Sequence, residues 1–272
     1  MNSEFAKLKT SELIKLALAV EEPWEYGYIP VLQRRGSKEV LLAAQKLCLS
    51  SEIAQRKLGV DILGQLGSPK RTFLNQRLTA LLKLLETEAN EQVLHSIGVA
   101  LGHLNDYRAV KPLIRFKNHP DADVRYGVVI GLLTQESSFA IETLIELSTD
   151  EDVDVRNWAT FGLGAQIDLD TTEIRAALWQ RLIKEDTQDS DTQEIYGEAL
   201  VGLAKRKDTR IIPFILKELE GNTVSVLALE AAEEIGNVKL YPALIELRKQ
   251  WDRKEYISDI LDDAIASCKS SE

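Results

Sequence analysis

One pattern recurs along this chain, and it constrains the fold more than any other feature. Its clearest copies are Asp121-Ala122-Asp123-Val124-Arg125, running on through small and apolar residues to Gly131-Leu132, and Asp152-Val153-Asp154-Val155-Arg156, running on to Gly162-Leu163-Gly164; the two lie 31 residues apart. Weaker copies close on Leu63, Leu101, Leu203 and Ile235, so that with Leu132 and Leu163 the successive offsets are 38, 31, 31, 40 and 32. A repeat in the thirties whose length varies with its loops predicts a helical solenoid, because one helix pair cannot bury its apolar face alone and stacks on the next. Residues 28–49 and 240–268 read as half-units that cap the ends.

Each unit contains a second helix preceded by a first. Ile29-Pro30, Lys111-Pro112, Ile212-Pro213 and Tyr241-Pro242 mark starts of first helices, where proline's missing N–H would have had no partner. The aspartates before the second helix suit an N-terminus, since carboxylates cap free N–H groups there and complement the dipole. Asp170-Thr171-Thr172-Glu173 reads as a capping box. No segment alternates with period two over a strand's length, so the chain is expected to be all-α, with about seven helix pairs at this period. The expected organisation is one domain over 1–272, with capping helices in 1–49, repeats in 50–236 and capping helices in 237–272.

The Asp-x-Asp-Val-Arg step, the small residues, the Gly-Leu-Gly close at Gly162-Leu163-Gly164 and the proline-started helix between copies resemble the HEAT repeat, particularly the bacterial variety grouped with phycobilisome lyases. The resemblance covers roughly residues 28–250. It implies a right-handed α-solenoid superhelix of antiparallel helix pairs, with second helices lining a concave face. It also implies that Arg125 and Arg156 form a structural ladder with aspartates of neighbouring units, Asp123 and Asp154 among them. Proteins of this class include bilin lyase subunits, their non-lyase relatives, adaptors and toxin-immunity proteins, and no motif in the chain selects one.

Composition removes other classes. The 272 residues carry 33 Lys+Arg against 43 Asp+Glu, a net charge of −10. That average field repels a polyanion, so nucleic acid is disfavoured as a partner. Two basic clusters, Arg34-Arg35-Lys38 and Lys205-Arg206-Lys207-Arg210, fall in expected turns and are read as solvated. Cys48 and Cys268 lie far apart without a CxxC, which signals neither a disulfide framework nor a zinc site and fits a reducing cytoplasm. His95 and His103 are eight apart rather than the four of a helical metal pair, and no nucleophilic triad is signalled. Neither metal nor cofactor is expected. The start has an early acid, Glu4, and the apolar stretch after Leu13 is broken by Lys15, so it reads as a first helix rather than a membrane span or signal peptide.

Helical spacing nominates the working residues. On the second helices, Val155, Trp158, Ala159, Gly162 and Leu163 form a core stripe, and Asn157, Thr160 and Phe161 another; Tyr126, Val129 and Ile130, then Val99, Leu200 and Val201, occupy equivalent places. This apolar strip is either a groove for a partner's helix or loop, or packing against the next unit. Trp179 reads as core, and Trp24, Tyr26 and Tyr28 as a lid over the exposed end of the solenoid. The expected function is a non-catalytic protein-binding scaffold that takes an unidentified protein partner on its concave face. A bilin lyase or isomerase subunit or phycobiliprotein chaperone, and a toxin-neutralising immunity protein, are the alternatives.

Overall fold

The computed structural model describes residues 5–21, 23–185, 189–221, 223–250 and 257–269. Met1 to Glu4, with the early acid, and the last residues of the expected C-terminal cap lie outside them. Among the described residues there are sixteen α-helices and no strand: α1 (Thr10–Ala17), α2 (Tyr28–Arg35), α3 (Lys38–Leu47), α4 (Ile53–Gln65), α5 (Leu74–Leu85), α6 (Glu91–Leu104), α7 (Val110–Ile114), α8 (Ala122–Leu132), α9 (Ser138–Leu147), α10 (Val153–Phe161), α11 (Thr172–Lys184), α12 (Ser190–Lys205), α13 (Ile212–Leu219), α14 (Val226–Ile235), α15 (Tyr241–Gln250) and α16 (Ile257–Cys268). Seven consecutive pairs pack on one another, α1 with α2, α3 with α4, α5 with α6, α7 with α8, α11 with α12, α13 with α14 and α15 with α16, where the period predicted about seven. The helices fall into two compact units, Met1–Thr143 and Leu144–Glu272, divided within α9.

In each unit the second helices form a continuous row. In the first unit α4 stacks between α2 and α6, and α6 between α4 and α8; in the second, α12 stacks between α10 and α14, and α14 between α12 and α16. The closing residues Leu63, Leu101, Leu132, Leu163 and Leu203 are all essentially inaccessible, and Ile235 nearly so. Pro112, Pro213 and Pro242 sit in the first turns of first helices as expected. Pro30 does not: it opens α2, which packs on α4 and stands in the row of second helices. The reason is an additional helix, α1, which supplies the first-helix partner of α2.

Glycines set the spacing of the row. A Cβ on Gly98 would meet the carbonyl oxygen of Gly127 at 2.3 Å, and one on Gly127 the carbonyl oxygen of His95 at 3.0 Å, so α6 and α8 touch backbone to backbone. In the second unit a Cβ on Gly202 would lie 2.6 Å from Gly164 Cα. The chain after Phe161 accommodates that approach by widening into a π-helical turn, Gly162–Gln166.

Helix starts are capped, though not always by the expected group. Asp121 Oδ1 accepts from Val124 N at 3.0 Å, and Asp152 Oδ1 from Asp154 N and Val155 N at 3.1 Å each. At α11 the cap is Thr171, whose hydroxyl accepts from Ile174 N at 3.2 Å, while Asp170 pairs with Arg175 at 2.6 Å; the expected capping box does not form.

The repeated arginine is structural, by a different route from the one expected. Arg125 Nη1 donates to the carbonyls of His119 (2.8 Å) and Pro120 (3.0 Å), and Arg156 Nη1 to those of Asp150 (2.8 Å) and Glu151 (3.0 Å). Arg56 does the same with Ser50 and Ser51, at 3.1 and 2.8 Å. The acidic partners are glutamates of the following unit: Glu88 forks with Arg56 at 2.6 and 3.0 Å, and Glu185 lies 3.5 Å from Arg156. Asp123 and Asp154 stand exposed in the first turns of their helices, so the aspartate ladder is corrected to an arginine clasp on the preceding turn.

Other arginines close the far ends of second helices. Arg77 is buried and donates to the carbonyls of Leu63 (2.6 Å) and Leu66 (3.0 Å), where α4 leaves acceptors without N–H partners. Burial, with Arg71 adding like charge, brings its pKa down to about 10, so it stays charged at neutral pH. Arg206 similarly donates to Leu163 and Ile167 at 2.8 Å each.

We expect Gly98→Ala to destabilise the protein by about 1–3 kcal/mol, because the added methyl meets fixed backbone rather than a movable side chain. A denaturant titration with an unchanged slope and an unchanged midpoint would contradict the backbone contact.

Candidate partner-binding faces

On a second helix the row contact takes up one stripe, and the positions flanking it stay reachable. In the first unit these are Lys57 and Asp61 on α4, His95 and Val99 on α6, and Tyr126 and Ile130 on α8, paired at i and i+4. Val99, Tyr126 and Ile130 are half-buried, and the His95 ring stacks on Tyr126 with centroids 5.6 Å apart. His95 Nδ1 lies 2.9 Å from the Asp123 carbonyl oxygen, which fixes the ring. In the second unit Asn157 and Phe161 are half-buried on α10. Asn157 Oδ1 is buried and accepts no hydrogen bond from the described residues.

Four nominated contacts are core instead. Val129, Thr160 and Leu200 are wholly inaccessible and Val201 nearly so. The middle position of each triplet faces the neighbouring helix, and the Thr160 hydroxyl is satisfied by the Arg156 carbonyl at 2.8 Å. On α12 the accessible pair lies three residues before the expected one, because Gly197 backs onto Leu227 in the interface with α14. The accessible i, i+4 pair there is Glu194 and Glu198, and Glu230 faces them from α14. Glycine at 197, occupying the interface as Gly98 does in α6, was the signal that would have set the register.

That change of register turns the face of the second unit acidic. Burial, then the like charges of Glu194 and Glu230, push the Glu198 carboxyl up to about 7 against the opposing pull of Lys205. Glu233 is raised as well, by burial and then by Asp263, Glu234 and Glu230.

Several other expected features move. Trp158 is not core: it is 37% exposed, with its ring edge-on to Phe161 at 5.5 Å. A position that holds a small residue elsewhere in the repeat has no room inward for an indole. Trp179 is half-buried against Phe214, with centroids 5.7 Å apart. Of the N-terminal aromatics only Tyr28 is buried, covered by Phe5 and Tyr26 at 4.9 and 5.8 Å, while Trp24 and Tyr26 stay exposed.

The basic clusters are solvated in part: Arg34, Lys38, Lys205, Lys207 and Arg210 are exposed, and several of the cations also have partners within the chain. Arg206 is buried, Lys207 reaches the Glu234 carbonyl, and Arg210 pairs with Asp208 at 2.6 Å. Arg35 donates to the Leu8 carbonyl at 2.5 Å and the Thr10 hydroxyl at 3.2 Å, and Arg34 to Pro30 O at 3.1 Å.

Both cysteines are free and buried, and burial pushes the Cys48 thiol up to about 12, far from a reactive thiolate. Among the described residues no His/Cys/Asp/Glu group could hold a metal ion, and no helix is long and apolar enough to cross a membrane. The first-helix row of the first unit also opens two cavities of about 840 and 850 Å³ on either side of α3.

Two outcomes separate core from face. Val129→Asp, which buries a carboxylate, should unfold the protein or cost several kcal/mol, whereas Ile130→Glu should leave thermal melting nearly unchanged; equal losses would remove Ile130 from the face. For Glu198 the folded pKa lies above the ordinary 4.5, so its contribution to stability is complete below about 4.5 and is lost as pH rises through about 7. Glu198→Gln should therefore melt higher than the parent above neutral pH and alike near pH 4.5; a gap independent of pH would contradict the buried like-charge cluster.

Comparison with known proteins agrees with this architecture. Residues 78–164 match the family described as HEAT repeats. The chain is 27% identical to Protein YibA of Escherichia coli K12 over 94% of its own length and 91% of that protein's. It superimposes on the X-ray structure of E. coli YibA with a TM-score of 0.77 at 25% identity, covering 98% and 95% of the two chains. It is also similar in fold to Kap95p in a complex with RanGDP (TM-score 0.65, 16% identity, 98% of this chain and 42% of that one). A further fold match is an archaeal HEAT-like repeat protein from Thermococcus onnurineus NA1 (TM-score 0.50, 18% identity, 95% and 98%). The chain is an all-α solenoid-type protein that contains HEAT repeats and has YibA as a homologue.

Proposed function

We propose that the protein is a non-catalytic scaffold that binds a protein partner on the accessible face of its second helices. The observation that carries this reading is the patch of half-buried apolar and aromatic side chains on two adjacent second helices, Val99 on α6 with Tyr126 and Ile130 on α8. Such side chains are held by the glycine-spaced row but not covered by it, and a contiguous apolar face of that kind suits a partner's helix or loop. In the second unit Asn157 and Phe161 are half-buried on α10 and offer side chains of the same kind. The glutamates around Glu198 favour a basic partner by charge complementarity. Kap95p, similar in fold, is described as binding RanGDP, which supports a protein-binding use of this architecture.

The test is affinity capture from native lysate with wild type, Ile130→Glu and Phe161→Glu, with retained proteins identified by mass spectrometry. We expect a protein held by the wild type and depleted at least about tenfold by a variant that melts normally, since an uncompensated charge in an apolar contact costs more than the 1.4 kcal/mol of one decade. Identical retained sets from all three proteins would overturn the assignment of this face. A captured biliprotein would favour the bilin lyase or chaperone reading, and a captured toxin the immunity reading.

A further inference from the structure

A cavity of about 690 Å³ opens on the first unit, walled by α4, α6 and α8 and by the segment after α1 that carries Trp24. Trp24 is 40% exposed although it lines this space. Three carboxylates share the lining: Glu21, Asp61 and Asp123. Lys57 is committed to Asp61 at 3.0 Å. Glu21 and Asp123 pair with no side-chain cation among the described residues, leaving an aromatic surface and two uncompensated acids around one opening.

The same parts occur elsewhere in the molecule with their cation in place. In the second unit the Arg210 guanidinium lies 4.4 Å from the centre of the Trp179 ring and is held by Asp208 at 2.6 Å. An indole face attracts a planar cation through its quadrupole, and a carboxylate takes up the fork of N–H donors. The first-unit cavity supplies the indole and the carboxylates and lacks the arginine.

We infer that this cavity receives an arginine side chain of a protein partner, with the guanidinium stacked on Trp24 and forked onto Asp123, while Glu21 adds negative potential to the same opening. Arginine suits it better than lysine, because a planar head uses ring and carboxylate together while an ammonium acts as a point charge. Apolar Leu18, Ile53 and Leu58 in the same lining cover the aliphatic stem. The inference rests on the second-helix face being the partner-binding face, since α4, α6 and α8 supply the wall, and it adds the chemistry of one anchor.

The experiment titrates the full chain with N-acetyl-arginine amide and follows the tryptophan indole N–H signals by NMR, with Trp24→Phe assigning the Trp24 peak. N-acetyl-citrulline amide, of the same shape and neutral, is the control. We expect a saturable shift of the Trp24 indole with the arginine probe, weakened at least about tenfold with citrulline and in Asp123→Asn, for loss of one charge-assisted pair. Asp123 is exposed, so that variant should keep the parent melting temperature. An equal response to citrulline, an unaffected Asp123→Asn, or shifts confined to other tryptophans would overturn the arginine site. Any of those results alongside a partner lost by Ile130→Glu would leave the scaffold reading standing, and arginine binding with no such partner would do the reverse.

Discussion

Everything in this molecule hangs on how closely the second helices approach one another. At Gly98 and Gly127 the backbones of α6 and α8 touch, and a single methyl would collide with a carbonyl at 2.3 Å. Interhelical contact so short covers every side chain that points along the row. It follows that Val129, Thr160 and Leu200 are core and that the reachable surface is confined to the flanking positions. Gly164 and Gly202 repeat the device in the second unit, and the π-helical turn at Gly162–Gln166 is where the backbone adjusts to it. By contrast, in the first unit the first-helix row is loose enough to leave large grooves beside α3.

Tight stacking creates a second problem, which arginine solves. Helix ends and turns buried in the stack carry carbonyls that neither water nor a helical N–H can reach. Arg56, Arg125 and Arg156 fasten the turn before a second helix, and Arg77 and Arg206 fasten the end of one. A guanidinium fits this task because five donors in a rigid fork can satisfy several carbonyls at once. The cost is desolvation, seen in the lowered pKa of Arg77 and Arg206. Five of the 33 Lys and Arg are used in this way, and the accessible second-helix faces carry acids: Asp123 in the first unit, and Glu194, Glu198 and Glu230 in the second.

Legibility in the sequence followed the range of the interaction. The closing residues from Leu63 to Ile235, the aspartate caps at Asp121 and Asp152, and the proline-started helices α7, α13 and α15 depend on neighbours a few residues away, and all could be read from spacing. The partners of Arg125 and Arg156 could not, because the acceptors are carbonyls, to which any residue contributes equally. The face of α12 was misplaced because a triplet carried over from Tyr126-Val129-Ile130 assumes that each helix presents the same angle to its neighbour. Gly197 against Leu227 shifts it by three residues. The area of an indole predicts core for Trp158, but a small-residue position in the stack turns it outward.

The sequence by itself determined an all-α chain of stacked helix pairs, since the period and the apolar spacing permit no other way of burying those residues. Only the tertiary structure decided which side chains meet a partner. Two helices offering identical stripes differ in what stays exposed once a glycine fixes their rotation, and groups distant in sequence, such as Glu198 and Glu230, or Trp24 and Asp123, acquire a chemistry only when the stack brings them around one space.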